Sequence, residues 1–337
     1  MFVILSFVTV SSGSADTVSI NGLALESAGL KDETGKPRLY GATRPEGIAN
    51  WHITQWNAAA DLPNFALGDD GRWATANQWA SILWTPPRRS GDSGPDREQT
   101  IVLTQSGPAF PCSTMNGDPN EFDVLVEPNA WSSGGYPNAD LEATMPTLDM
   151  LASFRMAGSY EMLSSAQGLG SCKANHAYAS ISITLANITV HPAQILWYSI
   201  VISTVCGGKD ESPGSDLYFC QLGVASPSVW WFWTGGMSPN PHISDDGVEN
   251  FAIHDVMASF GMEQVGEGEK RLLSMDFAGR LKDLVSAGRH GIDSNPAHWK
   301  ISTVNYGLAN WGTTSIATQW RGFVPDATLK HSAPAAH

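Results

Sequence analysis

Charge is scarce in this 337-residue chain. Only 15% of its residues are Asp, Glu, Lys or Arg, against roughly 25% in an average soluble protein. The basic share is the smaller, 19 Lys and Arg against 33 Asp and Glu, for a net charge of −14. A surface of that sign repels phosphate backbones and anionic headgroups, so nucleic acid is not an expected partner. Apolar runs of about 18 residues are missing too, which leaves no membrane-spanning helix to expect. Cysteine is limited to Cys112, Cys172, Cys206 and Cys220, and no two have the C-x-x-C spacing of zinc or redox sites. No Ser sits in a G-x-S-x-G elbow, and no His pair has an H-x-H, H-x-x-x-H or H-E-x-x-H spacing. Local motifs therefore offer neither a Ser nucleophile nor a metal centre.

What the chain has instead is 33 Gly, 20 Pro, 13 Trp and an apolar content of 42%, the profile of a loop-rich, strand-rich folded protein. Short strand-like segments recur between turn residues at 100–105, 122–126, 179–185, 195–205 and 229–234. Ile181, Ile183 and Leu185 alternate with Ser180, Ser182 and Thr184, predicting a sheet with one dry and one wet face. A single segment departs from this period. Phe277, Leu281, Leu284 and Val285 fall at i, i+4, i+7 and i+8 ahead of Gly288, predicting an amphipathic helix over 276–287 that closes at the glycine. Two strands follow, at 299–305 and 315–323, joined by GLANWGT. The fold class expected is all-β: a two-sheet β-sandwich or jelly roll with one amphipathic helix near the C-terminus.

Residues 1–10 are apolar and lead into the small residues 11–15, the pattern of a signal peptide, although no Lys or Arg precedes Lys31 and a plain β-strand is the alternative. The domain expected spans 16–327, with a frayed tail at 328–337, and the location expected is secreted or periplasmic. Cys206 and Cys220 bracket a Gly/Pro/Ser turn, so a hairpin would pair them and leave Cys112 with Cys172; four buried thiols are the alternative.

Glu121, Asp123 and Glu127 share parity within EFDVLVE, so a regular strand turns all three to one side. This stretch resembles the E-x-D-x-E or E-x-D-x-x-E strand of family 16 glycoside hydrolases. The resemblance implies Glu121 as nucleophile, Asp123 as helper and Glu127 as proton donor. The spacing departs from the family, since Glu121 and Glu127 are six residues apart and a straight strand separates their Cα atoms by roughly 20 Å. That exceeds the roughly 5.5 Å of retaining and 6.5–9.5 Å of inverting carboxyl pairs, even after two side chains lean together. A solvated sheet face is the other reading of the triplet.

The C-terminal run of helix, HGIDSNPAHW, strand, GLANWG and TTSIATQWRGF is similar to the last elements of family 12 glycoside hydrolases. Both families are concanavalin A-like β-jelly rolls. Where family 12 carries its acid/base Glu on the penultimate strand, this chain has Ala309, so the likeness implies the fold without that family's mechanism. Trp131 and Tyr136 follow the acidic strand, and Trp230, Trp233 and Trp311 complete a candidate set of sugar-stacking aromatics. Trp230 and Trp231 must face opposite ways in a regular strand. His52 and the pair His254 and Asp255 are further acid/base candidates. Asp245, Asp246 and Glu249 could hold a structural Ca²⁺, and no other cofactor is implied. Two functions are open: a retaining, endo-acting hydrolase of a β-linked polysaccharide, or a non-catalytic glycan-binding or surface-assembly protein of the same fold. The polysaccharide is the partner in either.

Overall fold

A computed structural model describes residues 17–19, 25–31, 37–40, 50–56, 62–63, 66–85, 99–106, 123–129, 147–167, 176–187, 189–206, 229–234, 248–311 and 313–330. The strands before residue 57, those at 123–129 and 229–234, and positions 206, 248, 302–303, 311 and 324–326 are described by backbone and register alone.

Two sheets make up the architecture. Sheet A holds β1 (Thr17–Ser19), β5 (Ala66–Leu67), β6 (Trp73–Ala76), β7 (Ala80–Thr85), β8 (Thr100–Gln105), β10 (Leu151–Ala166), β15 (Lys270–Asp276) and β17 (Ser315–Leu329), in the order β15-β10-β17-β8-β7-β6-β5 with β1 beside β17. Sheet B holds β2 (Leu25–Lys31), β3 (Pro37–Tyr40), β4 (Asn50–Trp56), β9 (Asp123–Asn129), β11 (His176–Asn187), β12 (Ala193–Cys206), β13 (Val229–Thr234), β14 (Val248–Val256) and β16 (Lys300–Trp311), in the order β13-β14-β12-β11-β16-β9-β4-β2-β3. Pairing is antiparallel except between β12 and β14 and between β2 and β4.

The period-2 pattern accounts for how the sheets stack. Phe154, Met156, Tyr160 and Met162 of β10, with Ile316, Trp320 and Phe323 of β17, turn inward from sheet A. They meet Ile181, Ile183 and Leu185 of β11, Leu196, Tyr198 and Ile200 of β12, and Val304, Tyr306 and Leu308 of β16. Trp320 lies at the centre of this layer, its ring centroid 4.7 Å from those of both Tyr160 and Tyr306. Every one of these side chains is at most 4% exposed. Burial of that completeness in a continuous apolar layer is the main stabilising term of the fold.

The helix α1 (Ala278–Ser286) forms where the 3.6-residue period predicts it, burying Ala278, Leu281, Leu284 and Val285. Gly288 takes the left-handed conformation at φ 58° and ends it. Asp276 sets the start, accepting from the backbone N–H of Ala278 at 3.1 Å and of Phe154 at 3.0 Å.

Three expectations need correction. Gly307 to Trp311 belong to β16 rather than to a connecting turn, pairing with β11 from Gly307↔Ser180 to Trp311↔His176. β17 runs through Leu329, two residues into the expected tail. The Ser/Thr side of β11 is not a wet face: Ser180 is 4% and Thr184 0% exposed, and only Ser182 keeps partial exposure. The segment 1–15 and Cys112, Cys172 and Cys220 lie outside the described residues, and Cys206 closes β12.

Candidate functional site

Sheet B has an inner face against sheet A and an outer face away from it, and register assigns each residue to one of them. Directly paired residues share a face. Tyr306 and Leu308 are inner, so positions 126 and 124, which pair with them, are inner as well. Positions 123, 125 and 127 are consequently outer. On the same side stand Ser180, Ser182 and Thr184 of β11, Ile195, Trp197 and Ser199 of β12, Asn250, Ala252 and His254 of β14, and Asn305, Gly307 and Ala309 of β16.

One row crosses the sheet at nearly constant height. His254 pairs with Ser199, Ser199 with Ser182, and Ser182 with Asn305. Continuing the β16–β9 register by one step brings Asn305 opposite position 127, which pairs in turn with His52 of β4. The two serine hydroxyls are 2.6 Å apart. Asn305 is 3% exposed, and its Oδ1 accepts from no group. Near the end of the same face, Ala186, Ile195 and Trp197 form a small apolar cluster separate from the main core. There Trp197 Nε1 donates to Asn250 Oδ1 at 3.3 Å.

The sequence candidates distribute as follows. Asp123 and Glu127 lie at outer-face positions of β9, while Glu121 precedes the described strand. β9 pairs with β4 continuously from Asp123↔Trp56 to Asn129↔Asn50 with no register shift, so no bulge lies between 123 and 127. The strand also continues past Pro128. Trp230 pairs with Ile253 at an inner register, whereas Trp233 pairs with Asn250 and Trp311 with His176 at outer ones. Trp131 and Tyr136 are outside the described residues, as are Asp245 and Asp246. Glu249 accepts from Gln194 Nε2 at 2.8 Å. Among the described residues no group of three or more His, Cys, Asp or Glu side chains could hold a metal ion.

The pair His254 and Asp255 is divided by the sheet. Asp255 is inner and 1% exposed, accepting from Tyr198 Oη at 3.0 Å, Arg280 Nε at 2.9 Å, Arg280 Nη2 at 2.6 Å and the Val256 N–H at 2.9 Å. Burial, then the Asp255 charge, pushes the Tyr198 hydroxyl well above the usual phenol range. Asp255 is thus a structural anion and does not orient His254. Burial holds the His254 ring below the ordinary imidazole range and His176 down at about 4, so both are neutral near pH 7.

Asn305, Ser199, Asn250, Thr184 and Trp197 were not singled out by the sequence. Their signal is a polar or amphipathic residue at every second place between core residues, as Asn305 stands between Val304 and Tyr306. The same pattern marks an ordinary solvated strand, so it becomes informative only with the burial of those residues in view. With described side chains alone, the outer face of β11, β12, β14 and β16 presents hydroxyls, amides, neutral imidazoles, an indole and, beside Ala186, the ammonium of Lys300, and no carboxylate.

No family model matches the chain, and no curated protein matches it. Among solved structures it is similar to a family 11 xylanase from Neocallimastix patriciarum, at 9% identity and TM-score 0.41, covering 82% of this chain and 99% of that one. It is also similar to a family 12 xyloglucanase from Bacillus licheniformis, at 11% identity and TM-score 0.37 over 82% and 100% of the two chains. A family GH12 endoglucanase 3 from Trichoderma harzianum gives 9% identity and TM-score 0.34 over 85% and 100%. Likeness at this level assigns no role to any residue. No helix among the described residues is long and apolar enough to cross a membrane.

Proposed function

We propose that the protein is an endo-acting glycoside hydrolase whose β-linked polysaccharide lies across the outer face of sheet B, with the acids of β9 carrying the reaction. The observation that supports this most is the pairing of Tyr306 with position 126, because it sets position 127 at the end of the uncharged row of Asn305, Ser182 and Ser199 and position 123 on the same face, next to Ala309. Positions 123 and 127 on an unbulged strand are about 13 Å apart at Cα. The reach of two acidic side chains brings such a pair into the single-digit ångström range that hydrolysis needs, which the roughly 20 Å between positions 121 and 127 does not. In this reading Glu127 donates the proton, Asp123 supplies the opposing carboxylate, and the anomeric configuration is retained. Export, expected from residues 1–15, belongs to the same reading.

Reducing-sugar release from β-glucans, xylans and galactans tests it. Glu127→Gln should lower release at least 100-fold while leaving polymer retention intact, since general acid catalysis supplies about 10²–10⁴ in rate. Proton NMR of the first product should show the β-anomer; an α-anomer would remove the nucleophile role and leave the acid role standing. A second reading, glycan binding without cleavage, is favoured by Ala309, an outer-face residue where an acid would complete a carboxylate pair across strands. Binding by the wild type with no sugar released from any polymer would select it.

A further inference from the structure

β15 is the last strand of sheet A, and among the described residues no strand pairs with its far edge. Which backbone groups that edge offers follows from the pairing on its other side. Phe277 donates its N–H to the Phe154 carbonyl at 2.7 Å, and in an antiparallel ladder such hydrogen-bonded pairs recur at every second residue. Arg271, Leu273 and Met275 therefore bond toward β10, while Lys270, Leu272, Ser274 and Asp276 turn their N–H and C=O groups outward. The side chains of the same four residues are exposed on the outer face of sheet A, Leu272 at 78%. β15 pairs with β10 from Asp276 to Lys270 without a register shift, so no bulge twists the edge away. Folded proteins commonly blunt such an edge with a bulge, a proline or a charge. Here the middle is Leu272, Leu273 and Ser274, and the outer-face charges stand at the two ends with opposite sign.

That charge pattern identifies the occupant. Two chains of net charge −14 repel each other at a distance, so a contact between copies needs local complementarity, and this strand is complementary to itself. Antiparallel pairing centred on Leu273 sets Lys270 against Asp276 of the second copy and Leu272 against its Ser274, each a hydrogen-bonded pair of the kind the outward groups can make. The neighbouring strand extends the match, because Glu161 stands beside Lys270 and Arg155 beside Asp276. The end rungs then read Glu161 and Lys270 of one copy, followed by Asp276 and Arg155 of the other, alternating in sign. Asp276 keeps a carboxylate oxygen for this, since its bonds to the Phe154 and Ala278 N–H groups use Oδ1. Sliding the register by two residues loses the Lys–Asp pairs, and parallel alignment sets Lys270 against Lys270. We propose that β15 is a homodimer edge, joining sheet A of two copies into one continuous sheet about a two-fold axis at Leu273. Such a contact is isologous and closes at two chains. It lies on sheet A, away from the outer face of sheet B, and stands independently of the carbohydrate reading.

Sedimentation velocity of the full chain over a concentration series tests it. An edge of seven residues is small for a permanent interface, so monomer should pass to dimer with a dissociation constant in the roughly micromolar range and no larger species. Lys270→Glu sets like charges together at both ends of the two-fold contact, and Ser274→Pro removes an outward N–H while sparing the bonds to β10. Each should weaken dimerisation by about tenfold or more. Arg289→Glu makes the same change of charge at an exposed position outside β15 and should dimerise as the wild type does. Thermal midpoints separate loss of pairing from loss of fold; if Ser274→Pro fails to fold, Lys270→Glu carries the test, its side chain being exposed. A wild type that stays monomeric throughout the series would overturn the proposal. Dimers that persist unchanged in Lys270→Glu would also overturn it, since they place the contact elsewhere. Equal weakening by Arg289→Glu, or growth beyond the dimer, would do the same.

Discussion

Gly158 is where the inner layers of β10 and β17 close on one another. Between Ala157↔Val324 and Ser159↔Arg321 the register slips, two residues of β17 standing against one of β10, and Gly322 takes φ 63° within that bulge. The bulge brings the Phe323 ring over the β10 backbone, so a Cβ at 158 would lie 2.4 Å from Phe323 Cδ2 and 2.9 Å from the Arg321 carbonyl oxygen. Phe323 is held in turn by Trp320 and Tyr306, at ring-centroid distances of 5.0 and 5.4 Å. Neither obstacle can step aside freely. Gly158→Ala should therefore cost about 1–3 kcal/mol as overpacking, seen as a lower urea midpoint at unchanged slope. An unchanged midpoint would mean that the ring relocates without loss. Nothing in FRMAGSYEM identifies this glycine as a packing requirement, because the atoms it makes way for come from residues more than 160 positions along the chain.

At the scale of elements, α1 is held to sheet B by more than its apolar stripe. Arg280 reaches the buried carboxylate of Asp255 with two nitrogens, and the arginine side chain is 32% exposed against 1% for the aspartate. Removing the cation leaves Asp255 to Tyr198, Ser259 and one backbone N–H. Breaking a fully buried pair costs about 3–5 kcal/mol; discounting for the guanidinium's partial solvation, Arg280→Ala should cost about 2–3 kcal/mol. Leu281→Ala, at 0% exposure, should cost about 2–5 kcal/mol through the cavity it leaves. Equal small losses in both would show the helix to be loosely docked. The helix was legible because its period is unlike everything around it. β8 at Thr100–Gln105 and β13 at Val229–Thr234 were legible with their bounds, being β-branched or aromatic runs between turn residues. β16 was read as ending at Asn305, since Gly307, Ala309 and Asn310 have little strand propensity; their place is set by pairing with β11. The candidate site was legible only as the acids of β9. The outer-face residues beside them come from β11, β12, β14 and β16, and register is fixed by the partners each strand meets.

For the molecule as a whole, two neutral histidines set how stability varies with pH. His176 is 2% exposed, and burial holds it at about 4; His254 is shifted in the same direction for the same reason. In the unfolded chain each would titrate near 6.5. Between these values the unfolded state binds protons that the folded state refuses, so stability rises with pH across the window and falls on acidification. For His176 alone the change is on the order of 3 kcal/mol. Asp293 acts lower on the scale. Burial pushes its carboxyl up, but hydrogen bonds from His298, the Asn295 N–H and Asn187 outweigh this and leave it below the ordinary carboxylate value. Its contribution is complete above about 3.9 and fades only as pH drops through the depressed folded value. Loss of stability between pH 6.5 and 4.5 is thus a histidine effect as far as these groups are concerned. Urea unfolding at pH 7, 5.5 and 4.5 should show it, with a visibly shallower decline in His176→Gln. A wild-type midpoint that stays level over this interval would mean that the folded chain takes up these protons as readily as the unfolded one, which a histidine enclosed between β12 and β16 could not do.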